Sequence, residues 1–131
     1  MDKTNKLSIQ LPANGNYSTL NSIQDGILKT INLLTRYDEV DQKRVFASLN
    51  GLSSILLAIN ITKDKNNIEI EGFDNPELRD WMFIWLTDAI ELIGVSEAMK
   101  HDPKTCSIAI ATISTLLRGM NPYKQTVRLA S

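Results

Sequence analysis

The first half of the chain has two stretches in which apolar residues recur at steps of three and four, the period of one helical face. They predict one helix over about residues 18–37 and a second helix that begins near Asp41. Gly26 either weakens the first helix by ~1 kcal/mol or lets another helix approach closely. Asn50-Gly51 either kinks the second helix or divides it. The predicted buried stripes are Leu20, Ile23, Ile27, Ile31 and Leu34 in the first helix, and Val45, Leu49, Leu52, Leu56 and Ile59 in the second, with Phe46 and Ile55 alongside.

The stretch Asn75–Gly94 predicts the central helix of the fold. Asn75 and Pro76 suit its start, and Gly94 suits a left-handed residue just past its end. Large apolar side chains cover nearly all of its circumference, so it should be buried on several sides, inside a bundle or between two subunits. The residues predicted to form the core or an oligomer interface are Trp81, Met82, Trp85 and Leu92.

A fourth helix is predicted to start at Pro103, with Asp102 as its cap, and to end at Gly119 and Pro122. Ser96 is expected to cap a short helical turn before it. The apolar side of the fourth helix contains Cys106, Ala109, Ile110, Ile113, Leu116 and Leu117.

Alternation of apolar and polar residues adds a small β-ribbon as an option. Leu7–Leu11 has a strand pattern, and Ile68 and Ile70 alternate with acids within residues 61–73; a loop is the alternative there. The predicted fold is all-α, a single-domain bundle of about four main helices with this minor ribbon. The predicted divisions are a flexible or short-strand lead-in over 1–16, the bundle over 17–122 and a basic flexible tail over 123–131.

Composition describes an ordinary globular chain. Its 131 residues can form one core, and a net charge of −1 gives no general attraction to nucleic acid or membrane. The N-terminus lacks the apolar segment of a secretory signal, and Asp88 and Glu91 interrupt the most apolar run. A single cysteine favours a reducing compartment, so we expect a cytoplasmic protein.

Residues suited to catalysis are scarce. The chain has one histidine, His101, and one cysteine, Cys106, which falls on an apolar helix face. Glycine-rich phosphate loops, metal-spaced Cys/His clusters and nucleophile elbows are absent from the sequence. We therefore predict no enzymatic activity, no cofactor and no metal; an enzyme with a carboxylate-bound metal is the least favoured alternative.

Residues 41–60 have the outline of a helix-turn-helix, with Gly51 in the turn. The second helix of that motif would offer almost only aliphatic side chains, whereas a recognition helix needs Arg, Lys, Asn or Gln. A kinked core helix is the better interpretation.

Two charge patterns remain as candidate binding surfaces. An acidic line with one apolar residue runs along the central helix, and the chain after Asp102 contains bases but no acids. Each is also typical of a solvated face. The predicted protein-binding residues are Glu77, Asp80, Ile84, Asp88 and Glu91, and the alternative nucleic-acid contacts are Lys104, Arg118, Lys124 and Arg128.

The sequence thus favours a small interaction protein, a regulator, inhibitor or adaptor, acting as a homo-oligomer, most simply a dimer. The alternative is a nucleic-acid-binding regulator that uses the basic C-terminal helix and tail. The identity of the protein partner does not follow from the residues.

Overall fold

The fold is an all-α bundle with a two-stranded ribbon, as predicted. The computed structural model describes residues 7–11, 17–36, 42–61, 67–70 and 78–130, with the side chains of 17–18, 36, 78 and 121–130 excepted. The elements in chain order are β1 (Leu7–Gln10), α1 (Tyr17–Arg36), α2 (Gln42–Ile61), β2 (Asn67–Ile70), α3 (Leu78–Gly94), α4 (Ala98–His101) and α5 (Pro103–Ala130).

The four long helices form a closed ring in which α1 packs against α2, α2 against α3, α3 against α5, and α5 against α1. The predicted stripes of α1 and α5 face this shared core, since residues such as Ile27 and Ile113 are fully buried. Buried Met82, Leu86 and Ala89 place one side of α3 in the core, but Trp81 and Ile84 are exposed. α3 is therefore one of four ring helices and not a central helix buried on several sides, because only α2 and α5 cover it extensively. Fold class therefore follows from helical periodicity.

The ribbon joins two strands that are far apart in sequence. β1 and β2 are antiparallel, with Leu7 opposite Ile70 and Ile9 opposite Ile68. These four side chains are buried, whereas Ser8 and Glu69 between them face water. β1 packs on α5 and β2 on α2, so the ribbon is supported by the bundle. A two-stranded ribbon needs such support because it is marginal alone.

Three glycines lie at close contacts between elements. A Cβ atom on Gly26 of α1 would overlap Thr112 of α5, and one on Gly119 of α5 would overlap the backbone of Gln10. A Cβ atom on Gly51 would lie 3.1 Å from the ring of Trp85. Close approach thus explains Gly26, and α2 runs unbroken through Gly51. The helix-turn-helix outline is therefore wrong.

Two predicted helix ends are also wrong. α5 continues past Gly119 and Pro122 to Ala130, and so crosses the expected boundary at residue 122. Gly119 serves the contact with β1, and a proline removes one backbone hydrogen bond without preventing the helix from resuming. Gly94 lies within α3 and has no left-handed backbone conformation, so it is not a left-handed cap.

The predicted cap of α5 is confirmed, whereas the N-cap position of α4 is held by Glu97, and Ser96 bonds from one residue earlier. The Ala98 N–H donates to Ser96 Oγ at 3.2 Å, and the Thr105 N–H donates to Asp102 Oδ1 at 3.3 Å. These bonds satisfy backbone donors that a helix start leaves open. The start of α3 predicted at Asn75-Pro76 lies outside the described residues.

Candidate interaction surface

The surface of interest lies on the water-facing side of α3. Asp80 and Glu91 are exposed, Asp88 is partly buried, and Ile84 is 49% exposed between them. These four residues are called the α3 strip below. They recur at steps of four, four and three, so the helix itself brings them onto one side. Glu77, the fifth predicted member, lies outside the described residues.

α3 packs antiparallel against α2, on the side of α3 that faces away from the strip. The Ser48 hydroxyl donates to the Trp85 carbonyl oxygen at 3.1 Å. Gly51 contacts Met82 and the Trp85 ring, and a Cβ atom on Gly51 would lie 3.2 Å from the Met82 sulfur. Small residues on α2 therefore let the bulky side of α3 approach closely.

Arg44 of α2 meets one end of the strip. Its Nη2 donates to Asp88 Oδ1 at 2.8 Å and also to Glu91 Oε1. Both bonds raise the pKa of Arg44, the one to Asp88 more than the one to Glu91. One guanidinium thus serves two carboxylates, so this end keeps a net negative charge, and Asp80 adds another.

The sequence does not reveal Arg44 as the partner of these acids. Arg44 and Asp88 are 44 residues apart, and a lysine adjoins Arg44 on the same helix. Only the antiparallel packing of α2 on α3 selects Arg44. The sequence left the acidic line as a protein-binding surface or a solvated face; at Asp88 and Glu91 it binds a cation from the same chain.

The four residues predicted as core or interface divide into two pairs. Met82 and Leu92 are buried in the bundle of a single chain. Trp81 is 44% exposed and Trp85 is partly buried, with ring centroids 6.3 Å apart. Only the tryptophans therefore retain surface for another molecule, and they border the α3 strip.

The sequence did not predict that the outward side of α2 exposes large apolar residues. Phe46, predicted to lie beside the buried stripe, is 67% exposed, and Leu57 is 68% exposed. The signal was present, since residues 45–61 contain no charge, but such a run is equally typical of a core helix. α2 is also the one described helix long and apolar enough to cross a membrane by length and composition.

The two candidates for chemistry differ in burial. His101 is exposed and 4.0 Å from Glu97 Oε1, while Cys106 is buried. Burial raises the pKa of the Cys106 thiol, and the charge of Asp102 raises it further, so the reactive thiolate is disfavoured. Within the described part of the chain, no three His, Cys, Asp or Glu residues are grouped to hold a metal.

The basic candidates lie along α5. Lys104 and Arg118 are exposed and 14 positions apart, which is about 21 Å of helix. Arg118 donates to the Thr115 hydroxyl at 3.4 Å. The side chains of Lys124 and Arg128 lie outside the described residues.

Comparison with protein-family profiles, curated sequences and solved structures gives no significant match.

Proposed function

We propose that this chain is a small non-enzymatic protein-interaction module, a cytoplasmic regulator, inhibitor or adaptor that acts as a homo-oligomer. Its docking surface for a protein partner is the α3 strip, with Ile84 at the apolar centre. The observation that carries this proposal is the half-exposed Ile84 between carboxylates, on a helix whose other faces are packed. Isolated exposed apolar residues are common, but here Trp81 adjoins the same surface.

The charge of the strip indicates what kind of partner fits. Arg44 compensates one of the two carboxylates at the far end, and Asp80 is exposed at the near end. A partner with a basic rim around an apolar side chain would complement this surface. Charges at the rim act mainly on association rate and specificity, and a desolvated apolar centre holds the complex together.

Capture from extract of the native cell tests the proposal. Wild type, Ile84→Asp and Asp80→Lys are immobilised, and bound proteins are quantified by mass spectrometry. We expect a specific protein that wild type retains and both variants lose. Asp80→Lys is preferable to reversing Asp88 or Glu91, because a lysine there would repel Arg44 and disturb the α2–α3 contact.

The matched control is Leu28→Asp, since Leu28 is apolar, 49% exposed as Ile84 is, and lies on α1 rather than α3. It adds the same charge as Ile84→Asp away from the strip, and should capture the partner as wild type does. Equal circular dichroism spectra establish that all variants are folded. A partner retained equally by Ile84→Asp, Asp80→Lys and wild type would exclude the α3 strip as the docking surface.

A further inference from the structure

Four residues on the outward side of α2 lie outside the core of the bundle. They are Phe46, Asn50, Ser53 and Leu57, called the α2 stripe below. All four residues are exposed. Ile61, one turn beyond Leu57, is 76% exposed. Charged residues are absent from positions 45–61, although the water-facing side of a soluble helix is ordinarily charged or polar. This pattern indicates a surface that another apolar surface covers.

We propose that the α2 stripe packs antiparallel against the α2 stripe of a second copy of this chain. The inference rests on the proposed function, because it supplies the interface for its homo-oligomer. The stripe has spacings of four, three and four, which read the same in both directions. An antiparallel copy therefore places Phe46 against the partner's Leu57, and Asn50 against the partner's Ser53. This reciprocity is what a two-fold interface requires.

Residue size along the stripe suits a helix–helix contact. The bulky Phe46 and Leu57 lie at its ends, and the small polar Asn50 and Ser53 lie between them. Small residues at the midpoint let two helices approach closely, while bulky residues flank the crossing. Asn50 can donate to the hydroxyl of the partner's Ser53, so both polar side chains keep a hydrogen bond when water is excluded.

The available area is of the right order for a dimer. The 20 residues of α2 span about 30 Å. Phe46, Leu57 and Ile61 leave roughly 400 Å² of apolar side chain exposed, at about 200 Å² per large side chain. These three apolar side chains alone therefore supply about half of the ~800 Å² that each partner of a standard interface buries.

Charge at the ends of α2 also favours the antiparallel arrangement. The helix has no acidic residue in its first turn and no basic residue in its last. Exposed Lys43 at the N-terminal end would lie beside the C-terminal carbonyls of the other α2, where the helix dipole favours a cation. A parallel arrangement would instead bring the two Lys43 side chains together.

Sedimentation velocity of the full chain tests the proposal. The molar mass obtained for wild type at micromolar concentration should be twice the chain mass of 14.7 kDa. Leu57→Glu and Phe46→Gln should sediment as monomers, with unchanged circular dichroism spectra. Val95→Glu, which adds a charge at an apolar position that is 82% exposed and lies off the α2 stripe, should remain dimeric. A monomeric wild type, or a dimeric Leu57→Glu, would overturn the α2 interface.

Thiol cross-linking tests the antiparallel register, because the native Cys106 is buried. An equimolar mixture of Asn50→Cys and Ser53→Cys chains should form more disulfide-linked dimer than either chain alone. Equal cross-linking in all three samples would contradict the register. Flotation of wild type with phosphatidylcholine vesicles would overturn the proposal by assigning the stripe to lipid.

These outcomes are separable from failure of the proposed function. Leu57→Glu leaves the α3 strip intact and should still capture the protein partner from extract. Ile84→Asp leaves the α2 stripe intact and should still sediment as a dimer. Loss of dimer in Ile84→Asp but not in Leu57→Glu would move the self-association to α3 and refute the α2 interface.

Discussion

Gly26 of α1 and Thr112 of α5 lie so close that a methyl group on Gly26 would be 2.8 Å from Thr112 Cβ and would overlap its hydroxyl. The polar groups at this crossing are satisfied within their own helices. The Thr30 hydroxyl donates to the Gly26 carbonyl oxygen at 2.7 Å, and the Thr112 hydroxyl donates to the Ile108 carbonyl oxygen at 2.9 Å. The two helices can therefore meet without an unsatisfied buried group.

Gly26→Ala should destabilise the fold by about 1–3 kcal/mol, because overpacking at the crossing outweighs the better helix propensity of alanine. Gly94→Ala is the matched control, since a Cβ atom there meets nothing within 4 Å. It should leave stability unchanged or raise it by up to ~1 kcal/mol. Urea unfolding measures both. Equal stability of Gly26→Ala and wild type would show that α1 and α5 are farther apart at this crossing than the structure places them.

The two tryptophans should differ in what their removal costs. Trp85 lies on Gly51 and is partly buried, so Trp85→Ala should cost about 3 kcal/mol, the low end for a buried aromatic residue. Trp81 is 44% exposed, and Trp81→Ala should cost about 1 kcal/mol. Chemical denaturation followed by circular dichroism compares them. A larger loss for Trp81→Ala would mean that α3 is rotated relative to this structure.

The Arg44–Asp88 bond should contribute a salt-sensitive increment to stability. Arg44→Met and Asp88→Asn should each lower the melting temperature slightly, and the double variant should lose less than the two single losses combined. Both side chains are partly exposed, so high salt should screen this coupling. Thermal unfolding at low and high salt completes the double-mutant cycle. Strictly additive losses at low salt would rule out the pairing.

Cys106 gives a pH dependence of stability with a definite sign. Burial, and then Asp102, raise the pKa of its thiol in the folded chain. Above the ordinary thiol pKa of about 8.5, the unfolded chain ionises first, so the stability due to the neutral thiol is present below that pH and is lost as pH rises. Wild type should therefore lose more stability than Cys106→Ala over this range. Parallel pH profiles of unfolding free energy would contradict the buried site.

Periodicity was sufficient for the fold class, because each long helix turns a continuous apolar side to the core. Periodicity gave wrong helix ends and wrong burial where a tertiary contact overrides the local preference of a residue. Gly119 looks like a helix end in sequence but is required by the backbone of Gln10. Phe46 looks like part of a core stripe but faces water. An apolar residue on a helix that is apolar all round can face either way, and only the packing of neighbours decides.

The candidate surface was predictable as a line on α3, but its electrostatics were not. Helical spacing alone places Asp80, Ile84 and Asp88 on one side. The charge of the line depends on Arg44, which reaches it only because α2 runs antiparallel to α3. Long-range pairings of this kind carry no local signature in a single sequence.

Binding kinetics of the captured partner test the central claim most directly. Surface plasmon resonance compares wild type, Ile84→Ala and Asp80→Asn at several salt concentrations. An apolar centre with an acidic rim predicts that Ile84→Ala raises the dissociation rate at least tenfold with little change in association. Asp80→Asn should instead slow association and flatten its dependence on salt. Rates unchanged from wild type in both variants would contradict a docking role for the α3 strip.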